Sequence, residues 1–194
     1  MKKFFSTLTL TTATALTIAL TGGAISSDSV LGQTSIDLGT LRSAAVSQHN
    51  IYRATHKSPN ITISDSLNSS AQAWADNIAS SGQFTHSTNR NNVGENIYVS
   101  YTTEASIDPT TLGNAAVSKW YSVKDNYNYA SPGFSSNTGH FTQVVWKGST
   151  QLGCGAAQGT ATIQGTKYNA FYVVCQYAAA GNMTGQFPDN VLQP

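Results

Sequence analysis

The sequence predicts an α+β domain. Three segments in the first two thirds of the chain repeat their apolar residues at helical spacing. Two segments near the C-terminus alternate apolar and polar residues in the period of a strand, and Gly and Pro punctuate the joins.

The chain opens with Met1, Lys2 and Lys3, an apolar, Thr-rich run from Phe4 to Leu20, and the small residues Gly22, Gly23 and Ala24. This is the plan of a secretory signal peptide, cleaved after Ala24 or Ser26. Residues 1–26 are read as that leader, 27–39 as a polar linker and 40–194 as the domain. The apolar run is short and interrupted by threonines, and no cysteine closes it, so neither a stable membrane anchor nor a lipid anchor is expected after cleavage. The short Lys-Lys leader has a bacterial look.

Charged residues make up 10% of the chain and the formal net charge is +1, against a usual charged fraction of about 25%. Such a surface offers no electrostatic footprint for nucleic acid or for an anionic membrane.

Leu41, Ala45, Gln48/His49 and Tyr52 recur at helical spacing from Leu41 to about Lys57, before Pro59. His56, near the end of that helix, is expected to be solvated or to interact with the helix dipole. The second helix is capped by Asp65 or Ser66, carries Leu67, Ala71, Trp74 and Ile78 on one face and stops at Gly82. Trp74 is read there as a core residue. Phe84-Thr85-His86-Ser87, an Asn-rich turn and Val93-Gly94-Glu95-Asn96-Ile97 follow. Tyr98 to Pro109 is read as a loop, and Leu112, Ala116, Trp120, Val123 and Tyr127 mark a third helix from Thr111 to Tyr127.

In Thr138 to Gly148, a Gly-flanked His140 leads into a run where Phe141, Gln143, Val145 and Lys147 alternate with Thr142, Val144 and Trp146. The alternation predicts a turn entering a strand. A histidine at the mouth of a strand suits metal or proton chemistry, although a histidine alone is more often structural. Gln151 to Ala157 and Tyr168 to Tyr177 are the last two strands, joined by a turn around Gly165. Cys154 and Cys175 are the only cysteines. A disulfide is the simplest reading in a secreted chain, with two free thiols as the alternative. The tail from Gly181 to Pro194 is expected to pack back over the domain. Sequons stand at Asn60, Asn68 and Asn182.

Gly139-His140-Phe141-Thr142-Gln143-Val144-Val145-Trp146 and Cys175-Gln176-Tyr177-Ala178-Ala179-Ala180-Gly181-Asn182-Met183-Thr184-Gly185 resemble the two signatures of the CAP superfamily: cysteine-rich secretory proteins, antigen 5 and pathogenesis-related 1, or the SCP domain. His49-Asn50-Ile51-Tyr52-Arg53 is similar to the first-helix element of that family, where it implies packing and hydrogen bonding. The resemblance covers residue 40 to the C-terminus. It implies a three-layer α-β-α sandwich with a small, mainly antiparallel sheet, and a central cavity where His86, Glu95 and His140 converge. The family places a second cavity glutamate where this chain has Val123, and Asp125 reaches the site only if the helix register differs. The tetrad is therefore expected to be a triad.

Two imidazoles and a carboxylate suit zinc or another divalent metal, weakly bound, on His86 and His140, with Glu95 a direct ligand or one step removed. The preferred functional reading is a secreted binding module, extracellular or periplasmic and monomeric. Its partner is a lipid or cell-envelope component, with apolar residues of Tyr98 to Pro109 at the rim of the groove. If the source is bacterial, a fatty acid, a hopanoid-like lipid or an envelope component fits better than a sterol. The alternative is a metal-assisted, peptidase-like hydrolase with Glu95 as candidate general base or Ser87 as nucleophile. No oxyanion hole is legible, and Ser87 is more simply a turn residue.

Overall fold

The computed structural model describes residues 35–88, 90 and 92–194, which belong to one unit, Thr34–Pro194. The expected leader, and all but the end of the expected linker, lie outside the described residues. In chain order the elements are α1 (Leu38–Thr55), β1 (Thr62–Ile63), α2 (Asp65–Ser81), β2 (Gly94–Thr102), α3 (Pro109–Tyr121), a 3-10 turn (Lys124–Asn126), α4 (Gly139–Val145), β3 (Gln151–Ile163), β4 (Thr166–Ala178) and α5 (Phe187–Asn190).

The sheet has the order β1-β3-β4-β2, with only the β1–β3 pair parallel. Alternation along β4 divides the core. Phe171, Val173, Cys175 and Tyr177 pack with α1, α3 and α4, whereas Ala170, Tyr172 and Val174 pack against Ala71, Ala75 and Ile78 of α2. The three layers expected from the resemblance are thus present. Gln164 and Gly165, both with positive φ, form the tight turn joining β3 to β4. The two cysteines face each other across that hairpin and form the Cys154–Cys175 disulfide.

α1 starts at Leu38, inside the stretch expected to be a linker, because the Asp37 carboxylate accepts the Thr40 N–H and caps the helix. α2 ends at Gly82 with φ 69°, as its sequence predicts. α3 is shorter than expected: the helix gives way at Ser122 to the 3-10 turn, and Val123 and Tyr127 reach the core from beyond it.

Four local expectations are corrected. The stretch after His140 is the helix α4 and not a strand. Phe141, Thr142, Gln143, Val144 and Val145 are all buried, so the segment has no polar face and its alternation carries no information about period. Tyr98 to Thr102 continues β2 in register with β4, so the loop before α3 is confined to the residues after Thr102. His56 is buried rather than solvated: its Nδ1–H donates to the Leu192 carbonyl and its Nε2 accepts the Tyr121 hydroxyl. Trp74 is only partly buried, and its Nε1–H donates to the Thr85 carbonyl.

The tail packs back as expected, with Phe187 edge-on to Trp146. Among the sequons, Asn68 is buried with its side chain on the Cys154 N–H, and Asn182 bonds Gly139 and Thr142. Asn60 is exposed.

Candidate functional site

The start of β2, the loop after α2 and the first turn of α4 meet at a cleft of about 490 Å³. The bond from Trp74 to Thr85 fixes the loop next to His86. Glu95, near the start of β2, lies directly opposite Gln176 of β4 and has no exposed side-chain surface. Its Oε1 accepts His86 Nδ1–H at 2.8 Å and Ser87 N–H at 3.0 Å. Its Oε2 accepts the Ser87 hydroxyl at 2.7 Å and Gln176 Nε2 at 3.0 Å. Burial by itself would raise the Glu95 carboxyl. The hydrogen bonds from His86, Ser87 and Gln176 outweigh it and bring the pKa to about 2. Glu95 is therefore an ionised, fully engaged acceptor that orients the His86 ring. With Nδ1 donating to Glu95, Nε2 is the ring nitrogen left without a hydrogen-bond partner among the described residues, and His86 lines the cleft.

His140 is half-buried at the start of α4. Burial, and then the neighbouring His86, hold its pKa below the usual imidazole value, which keeps the ring neutral. α4 is secured at both ends. The Arg53 guanidinium of α1 donates to the carbonyls of Val144 and Trp146, and Ser58 Oγ donates to that of Val145. These bonds satisfy C-terminal carbonyls that a helix leaves open and place a cation at the negative end of its dipole. At the other end Asn182 donates to Gly139 O, and Asn96 donates to His140 O. Gln143 forms the cleft floor, accepting Gly181 N–H and donating to Ser149 Oγ. A Cβ at position 94 would collide with the Gln143 amide, so Gly94 leaves room for that buried, hydrogen-bonded side chain.

The ring centroids of His86 and His140 are 6.5 Å apart, with the planes tilted by 37°. Two imidazoles in one cleft, one with its other nitrogen tied to a carboxylate, fit a divalent metal. Glu95 fits the supporting place, since all its acceptor sites are used. Among the described residues no three His, Cys, Asp or Glu side chains form a ready ligand group.

The structure therefore brings His86, Glu95 and His140 to one cleft. Val123 packs against the core, and Asp125 is exposed and paired with Lys124. Among the described residues Glu95 is the one carboxylate lining the cleft. His49 and Arg53 are buried, bonded residues, as the first-helix element implies: His49 bridges Ala45 O and Tyr177 Oη, and Arg53 also donates to Pro59 O and Ser149 O. Arg90, Phe134 and Asn182 also line the cleft. Asn182 stood within the second signature, whereas nothing in the local pattern marks Arg90 or Phe134. Tyr98 to Pro109 contributes no lining residue. Its first half is committed to β2.

The profile of the cysteine-rich secretory protein family, CAP, matches residues 46–177. Protein PRY2 of Saccharomyces cerevisiae is 40% identical over 148 residues, covering 76% of this chain and 40% of that protein. The human Golgi-associated plant pathogenesis-related protein 1 is 37% identical over 150 residues, 75% of this chain and 88% of the human one. Secreted protein RBT4 of Candida albicans is 38% identical over 75% of this chain and 39% of its own length. The chain thus spans about 40% of the yeast relative and nearly all of the human one. These relatives are fungal and human, and they give the bacterial source suggested by the leader no support.

Among solved structures, BmVAL-1 shares a TM-score of 0.61 and 26% identity over 80% of this chain and 84% of its own. NaASP2, solved with Zn2+, shares 0.60 and 23% over 80% and 87%. No helix among the described residues is long and apolar enough to cross a membrane. Family match, sequence relatives and fold agree: the chain belongs to the cysteine-rich secretory protein family, CAP.

Proposed function

We propose that the domain acts outside the cytoplasm as a binding module whose cleft takes a small ligand with an apolar part. The observation that carries this reading is the composition of the cleft. It has a polar floor with two bare imidazole edges, and Phe134, 63% exposed, lies over Gly139 at its rim. Met183, 48% exposed, directly follows the cleft residue Asn182. A volume of about 490 Å³ suits a ligand of a few hundred daltons. A large aromatic left in water beside a polar pocket stabilises a complex by being covered on binding. His86 and His140 hold a divalent metal weakly and exchangeably, and Glu95 orients His86 without entering the ligand sphere.

The hydrolase reading has less support. The Ser87 hydroxyl donates to the Glu95 carboxylate and not to an imidazole, so no histidine is placed to activate it. A carboxyl with a pKa of about 2 is also a poor proton acceptor near neutrality.

The test is mass spectrometry of organic extracts from purified protein and from a Phe134→Ser variant, with zinc calorimetry on both. Lipid retained by the native protein and lost in the variant, with zinc binding equal, supports the reading. Extracts free of any small apolar molecule in both, even after incubation with a lipid mixture, would overturn the ligand assignment. Zinc binding unaffected in a His86→Ala/His140→Ala variant would overturn the metal assignment.

A further inference from the structure

The two cleft histidines are held in different ways. His86 is oriented through its ring by Glu95, whereas no described group hydrogen-bonds the ring of His140, which is placed through its backbone. Glu95 and Asn96 are consecutive on β2, so their side chains point to opposite faces of the sheet. Glu95 joins Gln176 on the α2 side. Asn96, buried on the other side, donates one Nδ2 hydrogen to His140 O at 3.1 Å and the other to Tyr177 Oη at 3.2 Å.

The direction of every hydrogen bond behind Asn96 follows from one carbonyl. Ala45 O can only accept, so His49 Nδ1 carries the proton. Burial pulls the His49 pKa down to about 4, so the ring is neutral and its Nε2 accepts the Tyr177 hydroxyl proton at 2.9 Å. The Tyr177 oxygen is then free to accept from Asn96. A flipped Asn96 amide would set its oxygen against His140 O, so the amide has a single satisfied orientation. Asn182 ties the same helix to the tail, and Arg53 ties it to α1. Among the described residues, Asn96 makes the one hydrogen bond that links it to the strand that also holds the partner of His86.

We propose that Asn96 is the positioning residue for His140. The adjacent pair Glu95 and Asn96, each holding one histidine from opposite faces of β2, sets the span between the two imidazoles. This deepens the two-histidine reading of the cleft and rests on it for its metal consequence only.

The experiment compares native protein with Asn96→Leu and Tyr177→Phe, the latter removing only the oxygen behind Asn96. Ring-proton nuclear Overhauser effects between His86 and His140 are recorded in metal-free protein, with those from His86 to Ser87 as an internal control. Zinc affinity is measured separately by calorimetry. The expected result is loss of the His86–His140 effect in Asn96→Leu with the His86–Ser87 effect retained, and zinc affinity lower by about tenfold, the usual cost of losing a supporting partner. Tyr177→Phe should halve the same effect, and it decides the matter if Asn96→Leu does not fold. Unchanged ring-to-ring effects in the folded variants would overturn the proposal. If native protein binds no zinc, the metal reading falls, while the metal-free spectra still decide what Asn96 does.

Discussion

The Glu95 carboxylate lies wholly out of solvent and accepts a hydrogen bond from His86, whose own side chain is 43% exposed. A buried anion thus steers a surface imidazole, and that asymmetry has a pH signature. The Glu95 pKa falls from 4.5 to about 2 on folding. A depressed carboxylate contributes stability that is fully present above the unfolded value and lost as the pH falls through the folded one. The contribution is on the order of 3 kcal/mol. Urea unfolding should therefore show Glu95→Gln markedly less stable than native protein at pH 7, with the gap closing between about pH 4.5 and 2. A gap that stays constant across that window would show that Glu95 is not ionised in the fold.

Arg53 carries a buried cation without a carboxylate partner, satisfied by the carbonyls of Pro59, Val144, Trp146 and Ser149. Removing it strands those acceptors in the core. Arg53→Ala should cost about 4 kcal/mol, and Arg53→Lys about half of that, because an ammonium reaches fewer of them. Equilibrium denaturation measures both. Zinc titration of the lysine variant should also weaken, since the same bonds fix the end of α4.

The Cys154–Cys175 bridge closes a loop with a sequence separation of 21. Loop-closure entropy assigns it about 3 kcal/mol. Cys154→Ser/Cys175→Ser should lower stability by about that amount while leaving zinc binding unchanged, because neither cysteine lines the cleft. Paired denaturation and calorimetry curves check the two halves of the statement.

How much of this was legible follows from burial. α1, α2 and α3 each have one wet face, so Leu41/Ala45, Ala71/Ile78 and Leu112/Ala116 announce them. α4 has none, and β2 places Glu95 and Asn96 on opposite faces, both buried and polar, which erases the alternation that marks a strand. β1 is two residues long and exists through its pairing with β3. The convergence of His86, Glu95 and His140 came from family resemblance alone. The partners that fix them are distant in sequence: Gln176 is 81 residues from Glu95, and Asn96 is 44 from His140. No local pattern encodes such pairs.

α2 seats directly on the backbone of β3, and the reason is Gly155. A Cβ there would collide with the backbone of Gln72. The close approach lets α2 serve the outer edge of β3, which β1 pairs only at Gln151 and Leu152. Asn68 Oδ1 accepts Cys154 N–H, and the Gln72 amide takes both the N–H and the carbonyl of Ala156. Arg42 from α1 donates to Cys154 O. Gly155→Val would lift the helix and expose these backbone groups together, so the cost should exceed that of an ordinary overpacked side chain and reach about 4 kcal/mol. Hydrogen exchange distinguishes this from a general loosening. The amides of Cys154 and Ala156 should lose protection first in Gly155→Val, while those of β4 on the far side of the pair hold. Uniform loss along both strands would show that α2 does not guard that edge.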